Sequence, residues 1–314
     1  MTDTGPTPGE WSDQVAIVTG GGKGLGRAFA LDLARRGVRV VVNNRNRSVD
    51  ELGRGPADHV VAEILAFGGS AVAHHGAVED PESAESMVAL ALSRWGRLDI
   101  LIANAAISGP QMFHKATLEN FRRVLDVNVI GTVLVASAAS RVMREAGHGR
   151  ILMVASTAGL YGEPTVSAYA TSKGAVIALA KTVAVEGARR GVFTNALLPY
   201  ATTQMTESGI DQRYAEMMSA SAVAPVASAL VHPRSQINGR TVVAAAGGLR
   251  DADTSEGMTV RLPSESVSPE ELASLLNKSR DGARHTFVEA QDAFQSLAAD
   301  LTEAPGQAGP AGQA

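Results

Sequence analysis

The feature that most constrains this chain is a glycine-rich turn set between a short apolar run and a helical pattern near the N-terminus. Val15-Ala16-Ile17-Val18 runs straight into Thr19-Gly20-Gly21-Gly22-Lys23-Gly24-Leu25-Gly26. Glycines let a backbone turn with positive φ and let another group come close to it. The alternation then repeats. Short β-branched runs at 15–18, 38–42, 71–73, 98–102, 151–154 and 192–198 read as buried strands. Helical periods fill 25–36, 58–67, 81–95, 118–146 and 167–190, and a seventh strand is expected at 240–244. Strands and helices alternating at this spacing give right-handed βαβ units. The expected fold class is α/β: a doubly wound parallel sheet of about seven strands with helices on both faces.

Composition narrows the chemistry. Of 314 residues, 45% are hydrophobic and 19% charged, the profile of a globular protein. The net charge of −4 gives no reason to expect nucleic acid or an anionic membrane as partner. With no cysteine, disulfides, thiolate metal sites and cysteine nucleophiles are excluded. The seven histidines show no ligand spacing; His74 and His75 are adjacent and point to opposite faces of a strand, so no catalytic metal is expected. Residues 1–10 are polar and show no signal peptide. No apolar run approaches the roughly 18 residues of a membrane helix. A disordered segment 1–10 and a cytoplasmic protein are expected.

The main domain is expected at 11–250, followed by a helical extension at 251–302 and a disordered tail at 303–314. Ser268-Pro269-Glu270-Glu271 opens one extension helix with a capping serine and a first-turn proline. Phe287, Ala290, Phe294 and Leu297 form one stripe of a second helix. The weak pattern at 208–231, with Met217 and Met218, reads either as a mobile lid or as an ordinary surface helix pair.

The glycine turn has a chemical reading. A helix that starts there offers unpaired N–H groups and the positive end of its dipole to a pyrophosphate. About 20 residues on, an acidic side chain is expected at the adenosine ribose. Here the stretch is Asn43-Asn44-Arg45-Asn46-Arg47. Asn44 carries no charge to repel a 2′-phosphate, and Lys23, Arg45 and Arg47 offer cations to it. NADP(H) is favoured on these residues. In the alternative, the arginines are solvated and NAD(H) binds through Asn44.

A second constellation lies downstream. Tyr169 and Lys173 sit four apart in a helical pattern and share a face. Ser156 ends the fifth strand, and Asn128 lies in the long 118–146 helix. Singly, each has a plain structural reading: a strand-end cap, a polar helix residue, a packed aromatic. Together with the turn Thr-Gly-x-x-x-Gly-x-Gly, they resemble the short-chain dehydrogenase/reductase family. The resemblance implies a Rossmann fold and hydride transfer between a nicotinamide and a secondary alcohol or ketone. It also implies a catalytic tetrad of Asn128, Ser156, Tyr169 and Lys173. Tyr169 would be the acid/base, Ser156 would orient the substrate oxygen, and Asn128 would hold a water leading from Lys173. A free phenol has a pKa near 10, and a neighbouring ammonium is expected to lower it. Cofactor contacts are implied for Gly20, Gly22, Lys23, Gly24, Leu25, Gly26, Asn44, Arg45, Asn104, Ala105, Tyr169, Lys173, Pro199, Ala201 and Thr202.

The spelling Pro199-Tyr200-Ala201-Thr202-Thr203-Gln204-Met205-Thr206 resembles the (3R)-hydroxyacyl-CoA dehydrogenase branch, with Tyr200 where the wider family has glycine. Relatives pair through two long helices, implying a homodimer or homotetramer through 118–146 and 167–190. Two other readings stay open: dehydration or rearrangement on the same scaffold, and a nucleotide-binding subunit without turnover.

Overall fold

The computed structural model describes residues 10–45, 49–203, 213, 217–263 and 266–302. Contacts divide the chain into two units, Met1–Ala252 and Asp253–Ala314.

In the first unit the strands are β1 (Val15–Val18), β2 (Arg39–Asn43), β3 (Ala71–His74), β4 (Ile100–Ala103), β5 (Gly149–Val154), β6 (Val192–Pro199), β7 (Thr241–Ala245) and β8 (Gly248–Asp251). The helices are α1 (Gly24–Arg35), α2 (Pro56–Ala66), α3 (Pro81–Trp95), α4 (Leu118–Leu125), α5 (Gly131–Ala146), α6 (Ala158–Tyr161), α7 (Ser167–Ala188) and α8 (Ala220–Leu230). The sheet order is β3-β2-β1-β4-β5-β6-β7-β8. All neighbours are parallel except β7 and β8. The order reverses between β1 and β4, where an open α/β sheet leaves a crevice at its carboxyl edge.

Each central strand feeds two cores, because successive side chains point to opposite faces. Ala16 and Val18 of β1 pack with Phe29, Leu33, Val60, Ile64 and Val223 on one face. Val15 and Ile17 pack with Met87, Val135, Ala139, Met143 and Val176 on the other. Burial on both faces is why these strands read as unbroken apolar runs.

Three features depart from the sequence expectations. An eighth, antiparallel strand closes the sheet edge. Ala246 (φ 47°) and Gly247 (φ 78°) form the two-residue turn between Ala245 and Gly248, a hairpin connection that needs positive φ at both positions. The helix expected at 118–146 is interrupted by a π-helical turn at Asp126–Ile130 between α4 and α5. That span is also long and apolar enough, by length and composition, to cross a membrane. Its apolarity serves the fold: Val135, Ala136, Ala138, Ala139 and Met143 are buried in the second core. Of the 208–231 expectation, residues 208–212 and 214–216 lie outside the described residues, as do Arg47, 1–9 and 303–314. The described end forms α8, which packs Val223, Ala224 and Ala227 into the first core.

The second unit holds α9 (Pro269–Asp281) and α10 (Ala290–Thr302). The capping box is formed: Ser268 Oγ accepts from Glu271 N at 3.2 Å, and Ser268 N donates to Glu271 Oε2 at 2.9 Å. Neither helix has a buried residue, and Leu272, Leu276, Phe287 and Leu297 line an apolar groove of about 730 Å³.

Candidate active site

The glycine turn leaves β1 and enters α1. Gly20 (φ 62°) and Gly24 (φ 52°) adopt the left-handed conformation that favours glycine. The residue before α1, Lys23, makes no side-chain cap, so the first N–H groups of the helix are not satisfied by it. Asn104, beyond β4, braces the turn: its Nδ2 donates to Thr19 O at 3.0 Å. Thr19 Oγ1 accepts from Asn104 N at 2.9 Å and Ala105 N at 3.1 Å. Thr19, named in the sequence only as the first letter of the motif, is thus the knot between the β1 and β4 loops.

A cleft of about 310 Å³ runs along this carboxyl edge. Gly20, Lys23, Gly24 and Leu25 line it at one end, with Asn44. Asn104 and Ala105 line the middle, and Tyr169, Lys173, Pro199 and Ala201 the other end. The remaining expected cofactor residues sit elsewhere. Gly22 and Gly26 are packing positions: a Cβ would lie 2.6 Å from Pro56 Cβ in the first case and 2.2 Å from Gly20 O in the second. Thr202 pairs its backbone N with Met218 O at 2.6 Å, and its neighbour Thr203 lines the cleft instead. Arg45 is turned to Glu79, at 2.6 Å. The cleft, the uncapped helix start and the close-packed glycines fit an extended dinucleotide whose pyrophosphate meets the α1 terminus.

At the other end, α7 carries Tyr169 and Lys173 one turn apart. Lys173 is buried, and its Nζ donates to Val154 O at 2.7 Å. Nζ stands 5.5 Å from the Tyr169 ring centroid. Burial lowers the Lys173 pKa to about 8. Burial also raises the Tyr169 pKa above its usual value, while the hydrogen bond with Ser156 lowers it. The expected depression of the phenol by the ammonium is therefore not what dominates. Desolvation favours the neutral form of both groups, and Lys173 is committed to a main-chain carbonyl.

Asn128 sits in the π turn, fully buried. Its Nδ2 donates to Ile107 O and to Ser172 Oγ, each at 2.9 Å, and its Oδ1 accepts from Ile107 N at 2.8 Å. Ser172 Oγ in turn donates to Tyr169 O at 2.7 Å. Both amide hydrogens are used. The amide thus ties the loop after β4 to the first turns of α7, a bracing role the sequence did not indicate. At the mouth, Thr157 Oγ1 donates to Tyr200 Oη at 2.8 Å, joining the β5 and β6 loops beside Ser156.

The buried Lys173 has a measurable consequence. Its folded pKa lies below the 10.5 of an ordinary lysine, so below pH 8 folding keeps an ammonium out of water. Between about pH 8 and 10.5 the unfolded chain binds more protons, and stability rises with pH. The stability difference between wild type and Lys173→Met is expected to move toward wild type by about 3 kcal/mol across that window, read by urea unfolding. A difference that stays flat with pH would show Lys173 titrating as a solvated amine.

The model of the family described as short chain dehydrogenase matches residues 14–214. The chain belongs to the short-chain dehydrogenase family. A short-chain type dehydrogenase/reductase of Mycobacterium tuberculosis is 39% identical over 69% of this chain and 77% of its own length. The peroxisomal multifunctional enzyme type 2 of Drosophila melanogaster is 37% identical over 76% of this chain. The match spans only 40% of that enzyme. The crystal structure of a short chain dehydrogenase from Mycobacterium avium superposes with a TM-score of 0.76 at 31% identity, covering 88% of this chain and 98% of that one. This short-chain dehydrogenase is accordingly an oxidoreductase acting on CH–OH groups of small molecules, with NAD(H) or NADP(H) as its cofactor. The branch resemblance read from Pro199–Thr206 is borne out by this similarity to the multifunctional enzyme.

Proposed function

We propose that this dehydrogenase interconverts a secondary alcohol and a ketone using NADP(H), with Tyr169 as the general acid/base. The observation that carries the reading is that Tyr169 and Lys173, one helical turn apart on α7, line the same cleft as the glycine turn and Asn44. A nicotinamide held at the end of the cleft lined by Tyr169, Lys173, Pro199 and Ala201 would supply or accept the hydride. Ser156 orients the substrate oxygen. In reduction the substrate oxygen takes the Tyr169 Oη proton; in oxidation the phenolate oxygen takes that proton back. The raised Tyr169 pKa keeps the phenol protonated and ready to donate at neutral pH. Lys173 fixes the ring's surroundings through Val154 O and presents its charge to the cleft. Asn128 positions α7 through Ser172.

The NADP(H) preference is supported by the uncharged Asn44 and by Lys23, which lines the cleft with it. Pairing of two copies is supported by the outward groove of α5 and α7, lined by Val133, Ser137, Leu179 and Val183.

The test is loss of reduced-nicotinamide absorbance with NADPH and NADH across ketones and acyl thioesters. Cofactor consumption matched to alcohol formation is expected, faster with NADPH. Product formed with no net cofactor change would overturn the redox reading. Asn44→Asp puts a carboxylate beside the 2′-position and is expected to cut the NADPH preference by about tenfold or more through like-charge repulsion. An unchanged ratio of kcat/KM values would remove Asn44 from cofactor choice.

A further inference from the structure

Arg45 has a partner that no local spacing announces. Its Nη1 meets Glu79 Oε1 at 2.6 Å, with the two side chains 32% and 25% exposed. The residues come from different crossovers. Arg45 follows β2, and Glu79 lies between β3 and α3. These strands are neighbours with Asn43 opposite His74. Asn44 N carries the pairing one step further by donating to His74 O at 3.0 Å. The two loops therefore leave the sheet side by side, and a carboxylate on one compensates the guanidinium on the other. Asn44, next to Arg45, lines the cleft with Lys23. Thus a cation and its own counter-charge stand just outside the cleft lining, one residue along the chain from Asn44.

We infer that Glu79 is a specificity-determining residue: it competes with a ribose 2′-phosphate for Arg45 and so limits discrimination between phosphorylated and unphosphorylated dinucleotides. The inference rests on the reading that the ribose lies at Asn44. A guanidinium fork matches one carboxylate or one phosphate group. While Glu79 holds Arg45, the cation's charge is compensated, and the carboxylate itself repels a phosphate. A ribose bearing a free 2′-hydroxyl needs only neutral hydrogen bonds and is nearly indifferent to both. Glu79 therefore weakens one ligand and spares the other. A partly exposed ion pair holds weakly, so a phosphate can displace it; the effect is a brake, not a block. A purely architectural role for the pair predicts something else. Loosening the β2 and β3 loops would shift both ligands together.

The experiment is calorimetric titration of the full chain with adenosine 2′,5′-bisphosphate and with ADP, which needs no turnover. Wild type, Glu79→Gln and Glu79→Gln/Arg45→Met are compared at low and high salt, with thermal unfolding as a check on folding. Glu79→Gln is expected to bind the bisphosphate about three- to tenfold more tightly, with ADP unchanged and the gain smaller at high salt. In the double variant the gain disappears. Equal shifts for both ligands, no shift, or a gain that persists without Arg45 would overturn the inference. The wild-type ratio reports separately on the cofactor reading. If wild type prefers ADP but Glu79→Gln still gains selectively, the NADP(H) preference fails and the role of Glu79 stands. If wild type binds neither ligand, both fail.

Discussion

Tyr169→Phe is expected to lose turnover by about a hundred- to ten-thousandfold while dinucleotide affinity stays near wild type, the range for removal of a positioned acid/base. The substitution deletes one oxygen. The ring that lines the cleft remains, and so does the packing of α7 around it. Lys173 keeps its hydrogen bond, because its acceptor is Val154 O and not the phenol. Ser156 Oγ still accepts from Ala158 N at 3.2 Å, so losing the phenol oxygen costs about 1 kcal/mol at most. A structural tyrosine would behave differently: stability and binding would fall together, and kcat only as the protein unfolds. The decisive pair of measurements is single-turnover hydride transfer, read at the reduced-nicotinamide band, and quenching of intrinsic fluorescence by the cofactor. Turnover within a fewfold of wild type would remove Tyr169 from the reaction, and with it the acid/base role proposed for this site.

How far the sequence could be read depended on the kind of interaction involved. The parallel strands were legible because both of their faces are buried, so each is a short unbroken apolar run; β2 and β7 are displaced by a single residue from the expected spans. Tyr169 and Lys173 were legible because one helical turn brings them together. The edge strand β8 was not. Its residues, Gly-Leu-Arg-Asp, are all exposed and carry no alternation; only the Ala246–Gly247 turn betrays it. The π turn around Asn128 was hidden because the apolar pattern runs through 118–146 without a break, and a bulge of main-chain hydrogen bonds leaves no mark in residue types. Spacing pairs Lys173 with the phenol, whereas its acceptor, a carbonyl on β5, is anonymous in sequence. The same blindness explains Arg45. Glu79 is 34 residues away, and only the pairing of β2 with β3 brings the two together. Local spacing was readable; partners supplied by the main chain or by neighbouring crossovers were not.

The substitution Gly26→Ala carries the second large effect, and it isolates the glycine turn from everything else. On helix propensity alone alanine should stabilise α1, since glycine in a helix costs about 1 kcal/mol. The surroundings decide otherwise. A Cβ on Gly26 would stand 2.2 Å from Gly20 O, 2.8 Å from Gly20 C and 2.6 Å from Asn104 Nδ2. The first two are main-chain atoms, which cannot rotate away as a side-chain end can. Nor can the turn retreat freely. Gly20 is held in a left-handed conformation, and Asn104 Nδ2 and Thr19 Oγ1 pin it to the β4 loop. Relief has to come from lifting α1 away from the turn, which spoils the surface that meets the pyrophosphate. The expected result is a stability loss of about 1–3 kcal/mol from overpacking and a loss of cofactor affinity of about a hundredfold or more. Gly174→Ala supplies the contrast. It too lies inside a helix, but its Cβ meets only Gly159 O, at 3.3 Å, so cofactor affinity is expected to change little. Thermal unfolding and cofactor titration of the two variants side by side separate collision from propensity. If Gly26→Ala binds cofactor as wild type does and melts no earlier, the turn is not packed against α1 as described, and the phosphate cradle lies elsewhere.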